Sequence, residues 1–204
     1  MPSAAAIEKC RSVVGFDHVQ LDGESHSVHF DREGVELEFG AIGKGYAIDR
    51  AVSMLRDEYE IENAFIHGGG STIYGLGCPP DQDAWSVAIQ RPEGAEGDSV
   101  ITVPLCNRAV SVSAPHGKWF KQDGKRYGHV LDPRSAYPAA GSVLAVVAAD
   151  SATESDALST ALLVLGEEGI PIVRAVAPEA FVLVGTHEVE GGLCIVKEGS
   201  ELQT

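Results

Sequence analysis

Two stretches of this sequence combine residue types at spacings that can do chemistry. In Gly40-Ala41-Ile42-Gly43-Lys44-Gly45-Tyr46-Ala47-Ile48-Asp49, glycines at 40, 43 and 45 let the backbone turn sharply and approach a ligand, and Lys44 adds an ammonium. Ala47, Ile48, Ala51, Val52 and Leu55 then repeat with helical spacing, so the loop opens a helix whose first N–H groups are free. Free N–H groups beside a lysine form a phosphate cradle. A tight strand-to-helix turn with a solvated lysine is the alternative. The order GxxGxG differs from the GxGxxG of dinucleotide folds, and no Ser or Thr follows Lys44 as a Walker loop requires. In the second stretch, 151–166, Asp156 and Thr160 lie four apart and share one face of a helix near its start. A carboxylate and a hydroxyl are hard oxygen donors. Two are too few for calcium but fit Mg²⁺, which keeps waters and completes its shell with substrate phosphates. A polar helix edge is the alternative; the Gly-Lys loop upstream favours the metal.

Three further segments carry candidate chemistry. Gly68-Gly69-Gly70 follows an apolar run and marks a bend or a close approach of backbone to ligand. Lys118, Lys121, Lys125 and Arg126, interleaved with Trp119, Phe120 and Tyr127 around Gln122-Asp123-Gly124, form a basic patch. That patch suits an anionic aromatic ligand, or is simply a solvated hairpin. Gly128-His129-Val130-Leu131-Asp132-Pro133-Arg134 places His129 on a strand that Asp132-Pro133 ends, and leaves its role open between structure and catalysis. His18, His26 and His29 sit on or beside a hairpin, but His26 and His29 are three apart on a strand and face opposite ways, which argues against a shared metal.

The elements that must position these residues read as follows. A helix runs to about Val14, capped at Ser3 or a neighbour. Asp17 to Leu21 and Ser27 to Phe30 form a hairpin across Asp22-Gly23. Val35, Leu37 and Phe39 alternate with Glu36 and Glu38, predicting a third strand that delivers the chain to the glycine loop. The helix from Lys44 ends near Glu58. Ala64 to His67 reads as a buried strand, Thr72 to Leu76 as the next, and Trp85 to Gln90, Val100 to Pro104 and Ala109 to Ser113 as antiparallel strands. Val143 to Ala149 is a continuous apolar run, a fully buried strand. Ser151 and Glu154 make a capping box, Gly166 is a stop, and Ala157, Leu158, Ala161, Leu162 and Leu165 form the packed face. Pro171 opens a helix to about Ala177, and Ala180 to Gly185 and Leu193 to Val196 are closing strands around Glu190-Gly191-Gly192.

At 204 residues and 44% hydrophobic content, the chain can bury a core as one domain, 1–204. Its net charge of −15 repels phosphate backbones and anionic membranes, so nucleic acid is excluded as an expected partner. Cys10, Cys78, Cys106 and Cys194 lie far apart without a CxxC pair, so neither structural zinc nor disulfides are called for. No apolar run approaches the ~20 residues of a membrane span, and the first residues are no signal sequence. As written, the sequence reads as cytoplasmic; a missing upstream segment would make it periplasmic or membrane-anchored.

Taken together, Gly40 to Asp49, Gly68 to Gly70, Asp123 to Arg134 and Ser155 to Ala161 resemble, in order and spacing, the ApbE family of FAD:protein FMN transferases. The resemblance implies a mixed α/β (α+β) fold of largely antiparallel sheets packed with helices, with a ligand groove between two subregions. It implies Mg²⁺-dependent transfer of FMN from FAD to a threonine hydroxyl of an acceptor protein, with release of AMP. Ala41 (through its carbonyl), Asp156 and Thr160 would hold the metal. Lys44 would face the pyrophosphate, and His129 would be the base. Gly43, Lys44, Gly45, Gly68, Gly69, Gly70, His129 and Asp132 would contact the flavin nucleotide. Family members usually carry a substantial N-terminal portion that supplies part of the flavin site, so the chain reads as N-terminally short. It also departs from the family at Ser71, at Val112 to His116 and at Ser135-Ala136. Two other readings stand beside transfer: FAD pyrophosphatase activity, with water as acceptor, and a non-catalytic flavin-binding or interaction remnant of the fold.

Overall fold

Alternation along the strands decides which face of the sheet each residue sees. The structure, a computed structural model, describes residues 2–92, 94–95, 97–115, 119–122, 124–187 and 192–199; the side chains of Trp119, Lys125, Arg126 and His187 lie outside that description. So do His116, Lys118, Asp123, Glu190 and Gly191 of the sequence reading. The elements are α1 (Ala4–Arg11), β1 (Val19–Asp22), β2 (Ser27–Phe30), α2 (Gly43–Asp57), β3 (Ala64–His67), β4 (Thr72–Leu76), β5 (Trp85–Gln90) and β6 (Ser99–Leu105). There follow β7 (Arg108–Ser113), β8 (Trp119–Gln122), β9 (Lys125–Gly128), β10 (Leu131–Asp132), β11 (Tyr137–Pro138), β12 (Leu144–Ala149), α3 (Ala152–Leu165), α4 (Ile170–Val176), β13 (Phe181–His187) and β14 (Leu193–Glu198).

Among the described residues, six strands form one sheet in the order β14-β13-β12-β7-β4-β3, antiparallel at every step. On one face, Ala145, Val147 and Ala149 of β12 pack against Leu162 and Leu163 of α3 and Ile170 and Val173 of α4. On the same side, Tyr74 and Leu76 of β4 and Ala109 of β7 meet Ile48 and Val52 of α2. On the other face, Leu144, Val146 and Ala148 pack against Val87 and Ile89 of β5 and Val103 and Leu105 of β6, which pair as a ribbon. The layers are therefore helices, six-stranded sheet and two-stranded ribbon. Both faces of β12 are covered, which is why its sequence is apolar without alternation. Each large apolar side chain buried there contributes about 1.5–3 kcal/mol of transfer free energy.

Several sequence expectations change. Residues 35–39 form no strand: they have no ladder partner, and Phe39 is 65% exposed. Alternation alone does not make a strand; a neighbour with free N–H and C=O groups is needed. β3 is half exposed rather than buried, because it is the sheet's edge. β7, read only as one of several antiparallel strands, pairs with β4 and β12. The buried face of α3 is Ala152, Ser155, Asp156, Ser159, Leu162 and Leu163, and Ala161 faces solvent. Polar residues hydrogen-bonded to β4, β7 and α2 can be buried where apolar periodicity would not place them.

Candidate active site

Two helices start side by side over the ends of β4 and β7, and each receives the other's aspartate. α2 begins without a side-chain cap of its own, after a turn in which Ile42 and Gly43 donate to the Phe39 carbonyl. The Gly45 N–H in its first turn donates to Asp156 Oδ2 at 3.0 Å. α3 is capped by Ser151, which accepts from the Glu154 N–H at 3.2 Å, as its sequence foretold. Asp49, one turn further along α2, accepts from Ser151 Oγ (2.8 Å), the Ala152 N–H (2.8 Å), the Thr153 N–H (2.9 Å) and Thr153 Oγ1 (2.6 Å). Only glycine fits at position 45, because a Cβ there would overlap the Ala152 carbonyl. The two helix starts thus approach within backbone contact.

Asp156 is the centre of the cluster. Its carboxylate is 3% exposed as a residue and carries an ion pair to Lys44 Nζ at 2.7 Å, while the lysine side chain keeps 40% of its exposure. Thr72 Oγ1 donates to the same Oδ1 at 3.0 Å, so Asp156 binds one ammonium, one hydroxyl and one backbone N–H. Behind Thr72, Ser111 Oγ donates at 3.2 Å and shares a 2.7 Å hydrogen bond with Ser155 Oγ. Ser113 Oγ sits between Ser159 Oγ (2.9 Å) and Thr160 Oγ1 (3.2 Å). Thr160 Oγ1 in turn donates to the Asp156 carbonyl at 3.3 Å. A buried carboxylate costs several kcal/mol to desolvate, and this one is held by an ammonium, a hydroxyl backed by further hydroxyls, and a backbone N–H.

The structure therefore brings Lys44, Gly45, Asp156 and Thr160 into one place and sets Gly43 beside them at the start of α2. Ala41 lies in the turn just ahead of that helix. The Gly45 N–H at the helix start, expected from the sequence to be free for a ligand, is not free, because the Asp156 carboxylate accepts it. Gly68 to Gly70 close the β3–β4 hairpin: Gly68 donates to the Thr72 carbonyl at 2.8 Å. Gly69 and Gly70 take φ of 69° and 85° with open space where a Cβ would be. His129 does not lie within a strand; it occupies an exposed bend between β9 and β10. Asp132 is gripped by the Arg134 guanidinium at 2.8–3.1 Å, and that hydrogen bonding holds its carboxyl below the usual range. Arg134 also reaches the Val164 carbonyl at 3.5 Å, which puts Asp132 at the far end of α3 from Asp156. In the basic patch, Phe120 and Tyr127 stack across β8 and β9 with ring centroids 5.1 Å apart.

Sequence reasoning missed Asp49, Thr72, Ser111, Ser113, Ser155 and Ser159. The signal was present in part: Ser111 and Ser113 alternate on β7, and Ser155 and Ser159 share the face of Asp156 on α3. Asp49 shows the reverse pull of burial and hydrogen bonding. Burial raises its carboxyl, but the bonds from Thr153, Ala152 and Ser151 outweigh it and hold the group below its ordinary value.

The donor set on Asp156 suits a small hard cation. The Asp156 carboxylate already takes an ammonium, the Thr160 hydroxyl one turn along the helix is a hard oxygen of the kind Mg²⁺ selects, and no soft donor is among the contacts of Asp156.

Comparison with known proteins matches residues 1–182 to the ApbE family. The FAD:protein FMN transferase of Klebsiella pneumoniae (strain 342) is 33% identical over 177 residues, covering 85% of this chain and 53% of that protein. The ApbE protein of Thermotoga maritima superposes with a TM-score of 0.82 at 31% identity, covering 98% of this chain and 62% of that one. The flavin transferase ApbE of Vibrio cholerae gives 0.81 at 26% identity, covering 97% and 61%. The chain spans about half the length of the curated relatives it matches.

Proposed function

This chain belongs to the ApbE family, and on that premise we propose that it transfers the FMN half of FAD to a threonine hydroxyl of an acceptor protein, releasing AMP. The observation that carries the reading is the buried Asp156 carboxylate with the Lys44 ammonium at 2.7 Å, at the crossing of two helix starts. FAD holds its halves together through a pyrophosphate, whose cleavage needs charge neutralised beside the breaking P–O bond.

Asp156 and Thr160, with the Ala41 carbonyl, would hold Mg²⁺. When bound, the ion supplies positive charge that draws electron density from the pyrophosphate oxygens. Lys44 adds its own charge on the solvent side of Asp156, where it is 40% exposed and able to meet a ligand oxygen. Gly43 and Gly45 keep the backbone near Lys44 free of side chains. The open turn at Gly68, Gly69 and Gly70 leaves room for the nucleotide, whose flavin half would lie against His129 and Asp132. His129 takes the threonine proton as Oγ attacks the phosphorus of the FMN half. The P–O bond to AMP breaks, AMP carries off the electron pair, and FMN is left as a phosphoester on threonine. His129 is exposed, as a base serving a protein acceptor must be.

Incubating the chain with FAD and Mg²⁺ tests this. AMP released in step with flavin fluorescence that survives denaturation of an acceptor protein is expected. AMP released at the same rate without any acceptor identifies a hydrolase instead, and no AMP under either condition overturns the catalytic reading. Among the described residues no helix is long and apolar enough to cross a membrane.

A further inference from the structure

Cys78 and Cys106 stand 28 residues apart in sequence, and the fold sets their sulfurs 2.7 Å from each other. Their separation in the sequence therefore does not carry over to the fold. Cys78 follows the end of β4, and Cys106 lies in the turn from β6 to β7. Because β4 and β7 are neighbours, paired at Gly75 and Arg108, their flanking turns meet at one end of the sheet. Two asparagines fix the turns. The Cys78 N–H donates to Asn63 Oδ1 at 2.9 Å and the Gly77 N–H donates to Asn107 Oδ1 at 2.9 Å. Gly77 and Asn107 both take left-handed backbone, with φ of 52° and 53°. At Gly77 a Cβ would overlap Asn63 and the Glu62 carbonyl, so only glycine allows this path. The thiols are thus aimed at each other by the scaffold rather than left at a surface by chance.

We propose that Cys78 and Cys106 are a covalent modification site, a dithiol that closes to a disulfide by exchange with a small-molecule disulfide. Cys106 is exposed and Cys78 only partly so. Hydrogen bonding to Cys106, with partial desolvation, holds the Cys78 thiol above its usual range, so Cys106 attacks first. The Cys106 thiolate forms a mixed disulfide with one half of the oxidant and expels the other half as a thiol. The Cys78 thiolate then attacks the Cys106 sulfur and expels the second thiol. Two protons and two electrons pass to the oxidant, and one S–S bond replaces another.

The bond would tie the base of the β5–β6 ribbon to the main sheet. Its position is at the opposite end of β4 and β7 from Thr72 and Ser111, which hold the Asp156 cluster. The ring it closes spans residues 78–106, so its effect falls on the unfolded chain, whose freedom it restricts.

The test uses the intact chain and oxidised glutathione, followed by peptide mass mapping without reductant. One linkage is expected, between the peptides carrying Cys78 and Cys106, with loss of two hydrogens and reversal by dithiothreitol. The melting temperature should rise by about 5–10 °C on oxidation. Cys106→Ser should show neither the linkage nor the rise. Glutathione adducts that persist on Cys78 and Cys106 without a linkage, or linkages that run to Cys10 or Cys194, would overturn the proposal. This outcome is independent of whether the chain transfers FMN.

Discussion

Asp49 and Asp156 occupy mirrored positions and do opposite things. Asp49 sits on α2 and binds the start of α3; Asp156 sits on α3 and binds the start of α2. The partners of Asp49 are N–H and O–H groups within one helix turn, so its carboxylate is a fixed clamp. Asp156 spends one oxygen on a backbone N–H and a second on a lysine ammonium and a threonine hydroxyl. An ammonium on a flexible stem can yield to another cation or turn to a substrate oxygen, and a backbone N–H cannot. The clamp therefore sets the geometry, and in the proposed function the lysine-paired aspartate is the one that takes part in the chemistry.

The comparison breaks most sharply at Asp156. Asp156→Ala should abolish Mg²⁺-dependent transfer, a loss of about 10³-fold or more in AMP release, by removing the charge that holds the cation. Next, His129→Ala lies outside both helix starts and should lower transfer by about 10²–10⁴-fold. Calorimetry should find its Mg²⁺ binding intact; unchanged transfer would remove His129 from the mechanism.

Asp49→Ala tests the other half, and its effect is on folding. Losing the clamp should cost about 2–3 kcal/mol, read as a fall in melting temperature of about 5–10 °C. A fall in transfer rate without any fall in melting temperature would make Asp49 a participant rather than a clamp. The smallest expected effect is a pH dependence. The folded carboxyl of Asp49 lies below its unfolded value, so its contribution is fully present above the unfolded pKa of about 3.9 and is lost as pH falls through the folded pKa. Urea midpoints below about pH 4 should therefore decline less steeply in Asp49→Asn than in the parent chain.

The positions of the main elements were legible because their signals are local. Ser3, Ser151, Gly166 and Asp22 mark their caps and turn with residues whose own chemistry makes them, Asp22 by accepting from the Glu24 and Ser25 N–H groups of the hairpin turn. The strand Leu144 to Ala149 announced itself by composition. Asp156, Thr160 and Lys44 were singled out because a carboxylate and a hydroxyl one turn apart, after a Gly-Lys loop, are hard donors beside a positive charge; the structure joins Lys44 to Asp156 across 112 positions. Three things were not legible. The false strand at residues 35–39 depended on a partner that alternation does not reveal. The hydroxyls of Thr72 and Ser111 and the clamp at Asp49 depended on which strands and helices become neighbours. Cys78 and Cys106 met only because β4 pairs with β7 in this register.

In the proposed function Asp156, not Asp49, is the carboxylate that receives the cation. The most direct test is calorimetric titration of FAD into the parent chain, Asp156→Asn and Asp49→Asn, each with and without Mg²⁺. Mg²⁺-dependent FAD binding is expected in the parent and in Asp49→Asn, and its loss in a folded Asp156→Asn. Unchanged Mg²⁺-dependent binding in Asp156→Asn, or its loss only in a folded Asp49→Asn, would contradict that assignment.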